Sequence, residues 1–237
     1  MLIDKTMEKN LSFGEQVIAY NKQLHYKSEL PESFAVINPF QQQEETLMVM
    51  ERFYRKFYAD HCHRKFIIGI KPNRHGAGVT GVPFTDTKRL KEVCGIEMKT
   101  AYSHEVSSVF IYELIAQYGG AASFFSDFYI NSPFPLAIIR RNERDKWVNA
   151  NYYDNKALFN CVKSFMVTTL KKQLTMEIIS DRVYVLGKKN ADFIKQINKE
   201  EKLFGEIVVL EHPRFIMQYK SKQKDAFITK YLEAFSS

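Results

Sequence analysis

Three polar sites in the sequence follow short apolar runs and carry side chains that could act on a bound ligand. They are the loop from Lys71 to Asp86, the amide of Asn131 and the imidazole of His212. An amide offers two hydrogen-bond donors and an acceptor, and an imidazole provides an N–H donor. If the preceding runs are parallel strands, their carboxyl ends share one edge of a sheet, where α/β proteins usually bind ligands. The spacing therefore predicts one ligand site assembled from three distant parts of the chain.

The longest of these sites belongs to the segment from Phe66 to Asp86, which begins as a buried apolar strand at Phe66–Ile68. Glycine lets the backbone approach a ligand closely, and proline fixes the backbone in place. This composition predicts a rigid ligand-binding loop, with an ordinary strand-to-helix connection as the alternative. Asp86 is of a residue type that commonly caps helices. The segment from Phe66 to Asp86 holds four of the ten glycines and two of the seven prolines, namely Gly69, Gly76, Gly78, Gly81, Pro72 and Pro83.

A sheet must bring these sites together, and apolar runs that alternate with helical periodicity predict one. Such alternation indicates a parallel sheet, so the predicted fold is α/β, a three-layer α/β/α arrangement around a central four-stranded parallel sheet. Residues 1–237 are predicted to form one domain, in which residues 1–60 are a helical N-terminal extension packed on the rest. The predicted strands are Phe66–Ile68, Phe124–Ile130, Arg182–Leu186 and Glu206–Leu210. The predicted helices are Leu11–Tyr26, Glu44–Tyr58, Ser107–Tyr118, Leu158–Leu174, Asn190–Glu200 and Ser221–Phe235.

Composition narrows the class of protein. The chain has 237 residues, 45% of them hydrophobic, and a formal net charge of +7, which favours a polyanionic partner. Its three cysteines show no CxxC spacing, which favours a reduced, cytoplasmic protein and argues against an iron–sulfur or structural zinc site. His61 and His63 have no matching ligand cluster elsewhere, so no metal site is predicted. No apolar run approaches the length of a membrane span, and the first ten residues show no signal-peptide pattern, so no membrane association is expected.

Two segments and one asparagine resemble a known family. The loop GIKPNRHGAGVTGVPF, which runs from Gly69 to Phe84, resembles the first motif of the single-strand-selective monofunctional uracil-DNA glycosylases, within the uracil-DNA glycosylase superfamily. The segment HPRFIMQY, from His212 to Tyr219, resembles the family's second motif, a His-Pro loop after the last strand. Asn131 stands where the family keeps an Asn, and Val185–Lys188 is similar to a further strand-to-helix turn. The resemblance extends from about Arg64 to Gln218 and is closest to a bacterial branch of the family.

The resemblance implies hydrolysis of the N-glycosidic bond of uracil or a related deaminated base in DNA, with no metal and no cofactor. The base would leave the stack and enter a pocket, stacking on Phe84, with Gly69 and Pro72 in the pocket wall. The amide of Asn131 would pair with N3–H and O4 of uracil. The N–H of His212 would stabilise the negative charge that develops on O2 of the departing base.

The resemblance also implies DNA contacts around the pocket. Arg214 and the apolar residues of its segment would form a wedge loop that enters the duplex and holds the flipped state open. Arg74 and His75, in the glycine loop, are further predicted DNA contacts. DNA is therefore the expected partner of a protein that is expected to be a monomer. The predicted wedge loop consists of Pro213, Arg214, Phe215, Ile216 and Met217.

One position departs from the family pattern. Lys71 stands where the family generally keeps the Asn that holds the attacking water, and Asn73 replaces a small or aromatic residue. A protonated lysine has no acceptor for a proton. Four interpretations stay open: Asn73 holds the water, backbone and His75 orient it, Lys71 is itself a nucleophile of lowered pKa, or the protein binds a base without cleaving it. Lys71 pointing outward to a phosphate is a purely structural alternative. A nucleotide-metabolising α/β enzyme is a third functional class.

Overall fold

Short apolar runs form the central sheet, as the sequence predicts. The computed structural model describes residues 11–236; residues 1–10 and 237, and with them the ends of the predicted domain and of its N-terminal extension, lie outside the described part. Four strands pair in parallel throughout, in the spatial order Phe128–Asn131, Arg64–Ile68, Ile178–Leu186 and Glu206–Leu210, which confirms the four-stranded parallel sheet. The strands are β1 Phe34–Ile37, β2 Arg64–Ile68, β3 Phe128–Asn131, β4 Ala137–Arg141, β5 Trp147–Asn149, β6 Ile178–Leu186 and β7 Glu206–Leu210.

Helices cover the sheet. Successive residues of a strand point to opposite faces, and Phe66, Ile67 and Ile68 in β2 are all essentially inaccessible to solvent. Both faces of the sheet are therefore covered, as in a three-layer α/β/α arrangement. The helices are α1 Phe13–Gln23, α2 Pro39–Gln42, α3 Glu44–Phe57, α4 Ala77–Thr80, α5 Thr87–Glu92, α6 Val106–Tyr118, α7 Ala121–Asp127, α8 Lys156–Leu174, α9 Lys188–Glu201, α10 Pro213–Tyr219 and α11 Lys224–Ser236, with a short 3₁₀ turn at Ser221–Gln223.

The register aligns the carboxyl ends of the strands. Ile68 at the end of β2 lies opposite Asn131 of β3 on one side and Val185 of β6 on the other. Asn190, in the first turn of α9, is fully buried and donates from its amide to the carbonyls of Ile68 (3.3 Å) and Leu186 (3.1 Å). These bonds tie the ends of β2 and β6 together.

A second, smaller sheet was not predicted from the sequence. β1, β4 and β5 form a three-stranded antiparallel sheet in the order β1-β4-β5. The interpretation of residues 1–60 as wholly helical is therefore wrong at β1. β1 is only four residues long and half-buried, so its amino acids alone carry little periodic signal.

The predicted strand Phe124–Ile130 is also corrected. Its first four residues end the helix α7, and β3 begins only at Phe128. Phe124 and Phe128 are four residues apart and stack with ring centroids 5.0 Å from each other, an arrangement that helical spacing makes possible. An apolar run of seven residues does not distinguish a buried helix end from a strand.

Buried Arg64 connects the N-terminal segment to the sheet. Its guanidinium lies between the rings of Phe13 and Tyr58, 4.5 and 4.6 Å from their centroids. It also donates to the carbonyl of Phe125 and to the carboxylate of Asp60, each at 2.9 Å. A buried charge is tolerated when it is paired and hydrogen-bonded in this way. In the described part of the chain, no helix is both long and apolar enough to cross a membrane.

Candidate active site

A cavity of about 340 Å³ opens at the carboxyl edge of the central sheet. This volume lies in the usual range of small-molecule sites. The three polar sites predicted from the sequence all contribute to its wall, together with residues that the sequence did not single out. Its lining residues include Gly69, Lys71, Pro72, Asn73, Phe84, Glu105, Asn131, Asn149, Tyr153, His212, Arg214, Phe215, Gln218 and Tyr219.

The amide of Asn131 has a fixed orientation. Its Oδ1 accepts the backbone N–H of Ser132 at 2.8 Å, and its Nδ2 donates to the hydroxyl of Tyr129 at 2.5 Å. A backbone N–H is only a donor, so the atom facing it must be the oxygen. One N–H and one lone pair of the Asn131 amide are left after these two bonds. The buried amide therefore presents a defined donor and acceptor to the cavity.

Phe84 is held in an unusual backbone conformation. Its φ is 51°, in the left-handed region that a bulky residue rarely adopts. The turn is closed by Thr80, whose Oγ1 donates to the carbonyl of Thr85 at 2.7 Å. The ring packs on Gly69, where an added Cβ would lie 3.0 Å from Cε2 of Phe84. The strain of Phe84 and its close approach to Gly69 place an aromatic ring beside the cavity, and a side chain at position 69 would force the ring to move.

His212 is the N-cap of α10 and has a defined tautomer. Its Nδ1 accepts the backbone N–H of Arg214 at 3.1 Å, so in the neutral ring the proton sits on Nε2. Burial, and then the positive charge of Arg214, lower the pKa of His212 from 6.5 to about 4. Its ring lies 5.8 Å from the ring of Phe84, centroid to centroid. Gly187, in the segment Val185–Lys188, has a φ of 97°, a backbone conformation that favours glycine.

Lys71 lines the cavity and is partly exposed. Its Nζ donates to the carbonyl of Pro72 at 3.0 Å. Burial lowers the pKa of Lys71 from 10.5 to about 8, against an opposing effect of the negative charges of Glu105 and Asp154. The alternative in which Lys71 points outward to a phosphate is therefore wrong in this structure.

Asn73 acts as a link within the loop. Its Oδ1 accepts the backbone N–H of His75 at 3.1 Å and Nδ2 of Asn149 at 2.9 Å. Its Nδ2 faces Oε1 of Glu105 at 3.4 Å. Both lone pairs of its oxygen are used, which leaves Asn73 no acceptor for an attacking water. Its Nδ2 keeps a second N–H that could donate to a water, so the role of Asn73 in holding the water stays a prediction.

Arg74 and His75 lie outside the cavity wall. The side chain of His75 is exposed, and its Nε2 accepts Nε of Arg74 at 2.9 Å. The hypothesis that His75 orients the water therefore lacks support in the described part of the chain, since neither residue lines the cavity. As DNA contacts, Arg74 and His75 stay predictions.

The segment after His212 is a helix, which corrects the predicted wedge loop. Proline is favoured at the first helical position, and His212 caps the turn before it. Pro213 and Ile216 are buried and Met217 packs partly against the core. The exposed face carries Phe215, 44% exposed, and Tyr219, 72% exposed, whose ring centroids are 5.6 Å apart. Of the predicted wedge residues, Arg214 and Phe215 thus line the cavity mouth, and Pro213 and Met217 do not.

Sequence reasoning missed Glu105 and Asn149. Glu105 is the N-terminal flanking residue of α6, and Asn149 ends β5 of the small sheet. Neither follows an apolar strand of the central sheet, which was the signal used for the other site residues. Asp86, in contrast, caps a helix as expected, since its Oδ1 accepts the backbone N–H of Arg89 at 2.9 Å.

A carboxyl-edge cavity that presents a locked amide, an aromatic ring and a neutral imidazole defines a site for a planar heterocycle. The chain belongs to the uracil DNA glycosylase superfamily, whose family model matches residues 56–236. It is similar to the solved structure described as "The crystal structure of WT Pedobacter heparinus SMUG2", with 46% sequence identity, coverage of 95% of this chain and 97% of that chain, and a TM-score of 0.92. No curated protein matches it. The chain is thus a DNA glycosylase, and its family acts on DNA.

No group of three or more His, Cys, Asp or Glu in residues 11–236 could hold a metal ion. The polar side-chain atoms of the cavity wall belong to amides, the imidazole, hydroxyls, two cationic side chains and the carboxylate of Glu105.

Proposed function

We propose that this protein hydrolyses the N-glycosidic bond of uracil, or of a related deaminated base, in DNA and so starts base excision repair. The observation that carries the proposal is the locked amide of Asn131, which keeps one N–H and one lone pair for a ligand. Uracil presents N3–H as a donor next to O4 as an acceptor. The two free groups of Asn131 match this pair, so one residue recognises both atoms of the base edge.

The same amide disfavours cytosine. Cytosine presents an acceptor at N3 and a donor at its 4-amino group, the reverse of uracil. Asn131 cannot rotate to match it, because Oδ1 is held by the backbone N–H of Ser132. Leaving buried polar groups unpaired costs about 1–3 kcal/mol for each group. The site therefore rejects the normal base by an energetic penalty.

His212 supplies the stabilisation of the leaving base. When the C1′–N1 bond breaks, negative charge develops on the pyrimidine and on its O2. The N–H on Nε2 of His212 is a preorganised donor at the cavity wall, and loss of such a donor typically lowers a rate by about 10²- to 10³-fold. Since burial keeps the ring neutral at physiological pH, His212 acts as a hydrogen-bond donor and not as a strong acid.

The base must leave the duplex to reach this cavity. Arg214 and Phe215 at the cavity mouth, with Tyr219 beside them, are positioned to contact the strand from which the base is taken. The net charge of +7 favours binding of the polyanion. We propose that the protein acts on DNA as a monomer in the cytoplasm, and analytical ultracentrifugation with and without DNA tests the monomer.

The test is release of free base from a single-stranded oligonucleotide that contains one deoxyuridine, followed under single-turnover conditions. Parallel substrates with hypoxanthine, xanthine or a thymine mismatch define the base preference. Wild-type protein is expected to release uracil, and His212→Ala is expected to be slower by about 10²- to 10³-fold. Asn131→Ala should lose most of the rate on uracil. His63→Ala, which changes an exposed histidine that does not line the cavity, serves as the matched control.

A second candidate is a protein of this fold that binds a base in DNA without cleaving it. It is favoured by one observation, the amine of Lys71 in the cavity wall, since an ammonium cannot accept a proton from water. Such a protein would bind DNA with a steep salt dependence and release no base at any protein excess. Borohydride added during the assay separates a third outcome, because only an enzyme with Lys71 as nucleophile would leave a trapped covalent adduct.

A further inference from the structure

Glu105 places a carboxylate in the cavity wall, and the roles proposed for Asn131 and His212 do not involve it. It stands at the start of α6, beside Lys71 and Asn73 in the cavity wall. Among the described lining residues it is the one with an acidic side chain. Its position is remote in sequence from both motifs, which is why spacing did not reveal it.

The surrounding residues fix the position of Glu105. Its backbone N–H donates to Oδ2 of Asp86 at 3.0 Å, and Asp86 is itself held by an ion pair with Arg89 at 3.1 Å. A Cβ at Gly76 would lie 1.9 Å from Oε2 of Glu105, so any side chain at position 76 would displace the carboxylate. The glycine of the loop thus leaves room for this acid.

The carboxylate is poorly compensated, although its place is fixed. The hydrogen bond to it from Nδ2 of Asn73 is long, at 3.4 Å. Burial, and to a lesser extent the negative charge of Asp86, raise the pKa of Glu105 from 4.5 to about 7, while the positive charges of Lys71 and Arg214 oppose this. A buried carboxylate with free lone pairs is a strong acceptor near neutral pH.

Several other acceptors of the cavity are already engaged. Both lone pairs of the Asn73 oxygen are used within the protein, and Nδ1 of His212 holds the N–H of Arg214. The oxygen of Asn131 is needed for the base in the proposed complex. Lys71 is a donor when protonated. Among the free acceptors of the described cavity wall, the carboxylate of Glu105 is the one basic enough to take a proton from a water near neutral pH.

We propose that Glu105 is the general base that holds and activates the water attacking C1′ of the damaged nucleotide. This inference rests on the proposed glycosylase function. The water oxygen bonds to C1′ as Glu105 takes one of its protons, and the C1′–N1 bond breaks with its electron pair moving to the base. The base leaves as an anion that His212 stabilises and that later takes up a proton. The products are the free base and an abasic sugar with a hydroxyl at C1′.

Lys71 has a positioning role in this arrangement. Its positive charge opposes the effect of burial on Glu105 and so favours the ionised carboxylate, which is the form able to accept a proton. Because Nζ donates to the carbonyl of Pro72, the charge is held beside the acid. A lysine at position 71 is thus compatible with hydrolysis, provided that Glu105 performs the proton transfer.

The experiment compares wild type with Glu105→Gln and Glu105→Asp in single-turnover release of uracil from a deoxyuridine oligonucleotide. Glu105→Gln keeps the shape but cannot take the proton, so its rate is expected to fall by about 10²- to 10³-fold, within the usual range for general-base catalysis. The single-turnover rate of Glu105→Asp should lie between those of the wild type and Glu105→Gln. Binding of an oligonucleotide with non-hydrolysable 2′-fluoro-deoxyuridine should change less than threefold. Glu92→Gln, an exposed carboxylate on α5, is the matched control and should keep the wild-type rate.

The pH profile separates a catalytic role from a structural one. The wild-type rate should fall tenfold per pH unit below a pKa near 7, which Glu105 sets together with the charges of Lys71, Asp86 and Arg214 around it. Glu105→Gln should lose this limb. An active wild type with a Glu105→Gln rate within threefold of it would overturn the role of Glu105 alone. A wild type that releases no base from any of the deaminated substrates would overturn the proposed function, and the role of Glu105 with it.

Discussion

At the scale of single residues, His212 combines a structural and a chemical task. Nδ1 of His212 caps α10 by accepting the backbone N–H of Arg214, and this bond also decides which ring nitrogen carries the proton. Spacing in the sequence identified the residue, but it could not give its tautomer or its charge, because both depend on the fold of the following turn. The same limit applies to Asn131, whose amide orientation is set by the neighbouring Ser132 and by Tyr129.

The titration of His212 should make stability depend on pH. Its pKa is about 4 in the folded protein and 6.5 ordinarily, so between these values the unfolded chain binds a proton that the folded chain does not. Lowering the pH from 7 to 4 should therefore destabilise the wild type through this residue by up to about 3 kcal/mol. His212→Asn keeps an N-cap residue but does not titrate. Urea unfolding at pH 7 and pH 4.5 should show a smaller pH effect in the variant; an equal effect in both proteins would contradict the lowered pKa.

Tyr129→Phe tests the locking of the recognition amide. The variant removes the hydroxyl that accepts Nδ2 of Asn131, a bond worth about 1 kcal/mol. We expect kcat/KM for uracil release to fall about fivefold, while cytosine stays uncleaved because the N–H of Ser132 still orients the amide. Single-turnover rates on both bases measure this. Tyr118→Phe, which removes a hydroxyl bonded to Asp127, is the control. Cleavage of cytosine by Tyr129→Phe would show that Ser132 alone does not fix the amide.

At the scale of elements, the sequence predicted the strands of the central sheet better than the segments between them. β2, β6 and β7 lie within or around uninterrupted apolar runs, which need only burial to become strands. α10 was missed because His-Pro was interpreted as the end of a strand and the start of a loop. Proline at the first helical position and the spacing of Phe215 and Tyr219 are, in retrospect, the local signals for a helix.

The exposed aromatic face of α10 should contribute to DNA binding. Phe215 and Tyr219 offer an apolar surface at the cavity mouth, and aromatic contacts with bases are worth about 1–3 kcal/mol each. The double change Phe215→Ala/Tyr219→Ala should weaken binding of a 2′-fluoro-deoxyuridine oligonucleotide at least tenfold. Fluorescence anisotropy measures the affinity, and its dependence on salt should keep the wild-type slope, since no phosphate contact is removed.

Met48→Ala controls for the loss of an exposed apolar side chain, because Met48 is 55% exposed on α3. The affinity of the Met48→Ala variant for the same oligonucleotide should equal that of the wild type. An unchanged affinity in the double variant of α10 would exclude this face from the DNA interface.

At the scale of the whole molecule, the small sheet and the N-terminal helices turn out to serve the site. Asn149, at the end of β5, donates to Asn73 and fixes the glycine loop from a part of the chain that the sequence did not connect with it. β1, β4 and β5 are only three to five residues long, so their pairing depends on tertiary contacts rather than on local preference. This dependence is why the α/β core could be predicted from the sequence and its antiparallel addition could not.

A chain of buried contacts links the N-terminal segment with the recognition amide. Arg64 packs on Phe13, the ring of Phe13 lies 5.3 Å from the ring of Tyr129, and Tyr129 bonds Asn131. Each contact is buried, so water cannot take the place of a side-chain contact that a substitution removes at one end. Loss of the Arg64 contacts is therefore expected to change the free energy of unfolding and the rate of base release by different amounts.

Arg64→Lys should separate these two responses. Lysine keeps the charge but loses the planar fork that bonds Asp60 and the carbonyls of Phe125 and Cys62, so buried acceptors are left unpaired. We expect the free energy of unfolding to fall by about 3 kcal/mol, as for the breaking of other buried charge networks. Single-turnover release of uracil at 25 °C by the folded protein should change less than fivefold, because Asn131 keeps its bonds to Ser132 and Tyr129. Arg55→Lys, at an exposed arginine on α3, should leave both quantities unchanged. A large loss of rate without a loss of stability would show that Arg64 acts on the site directly and not through the packing of the molecule.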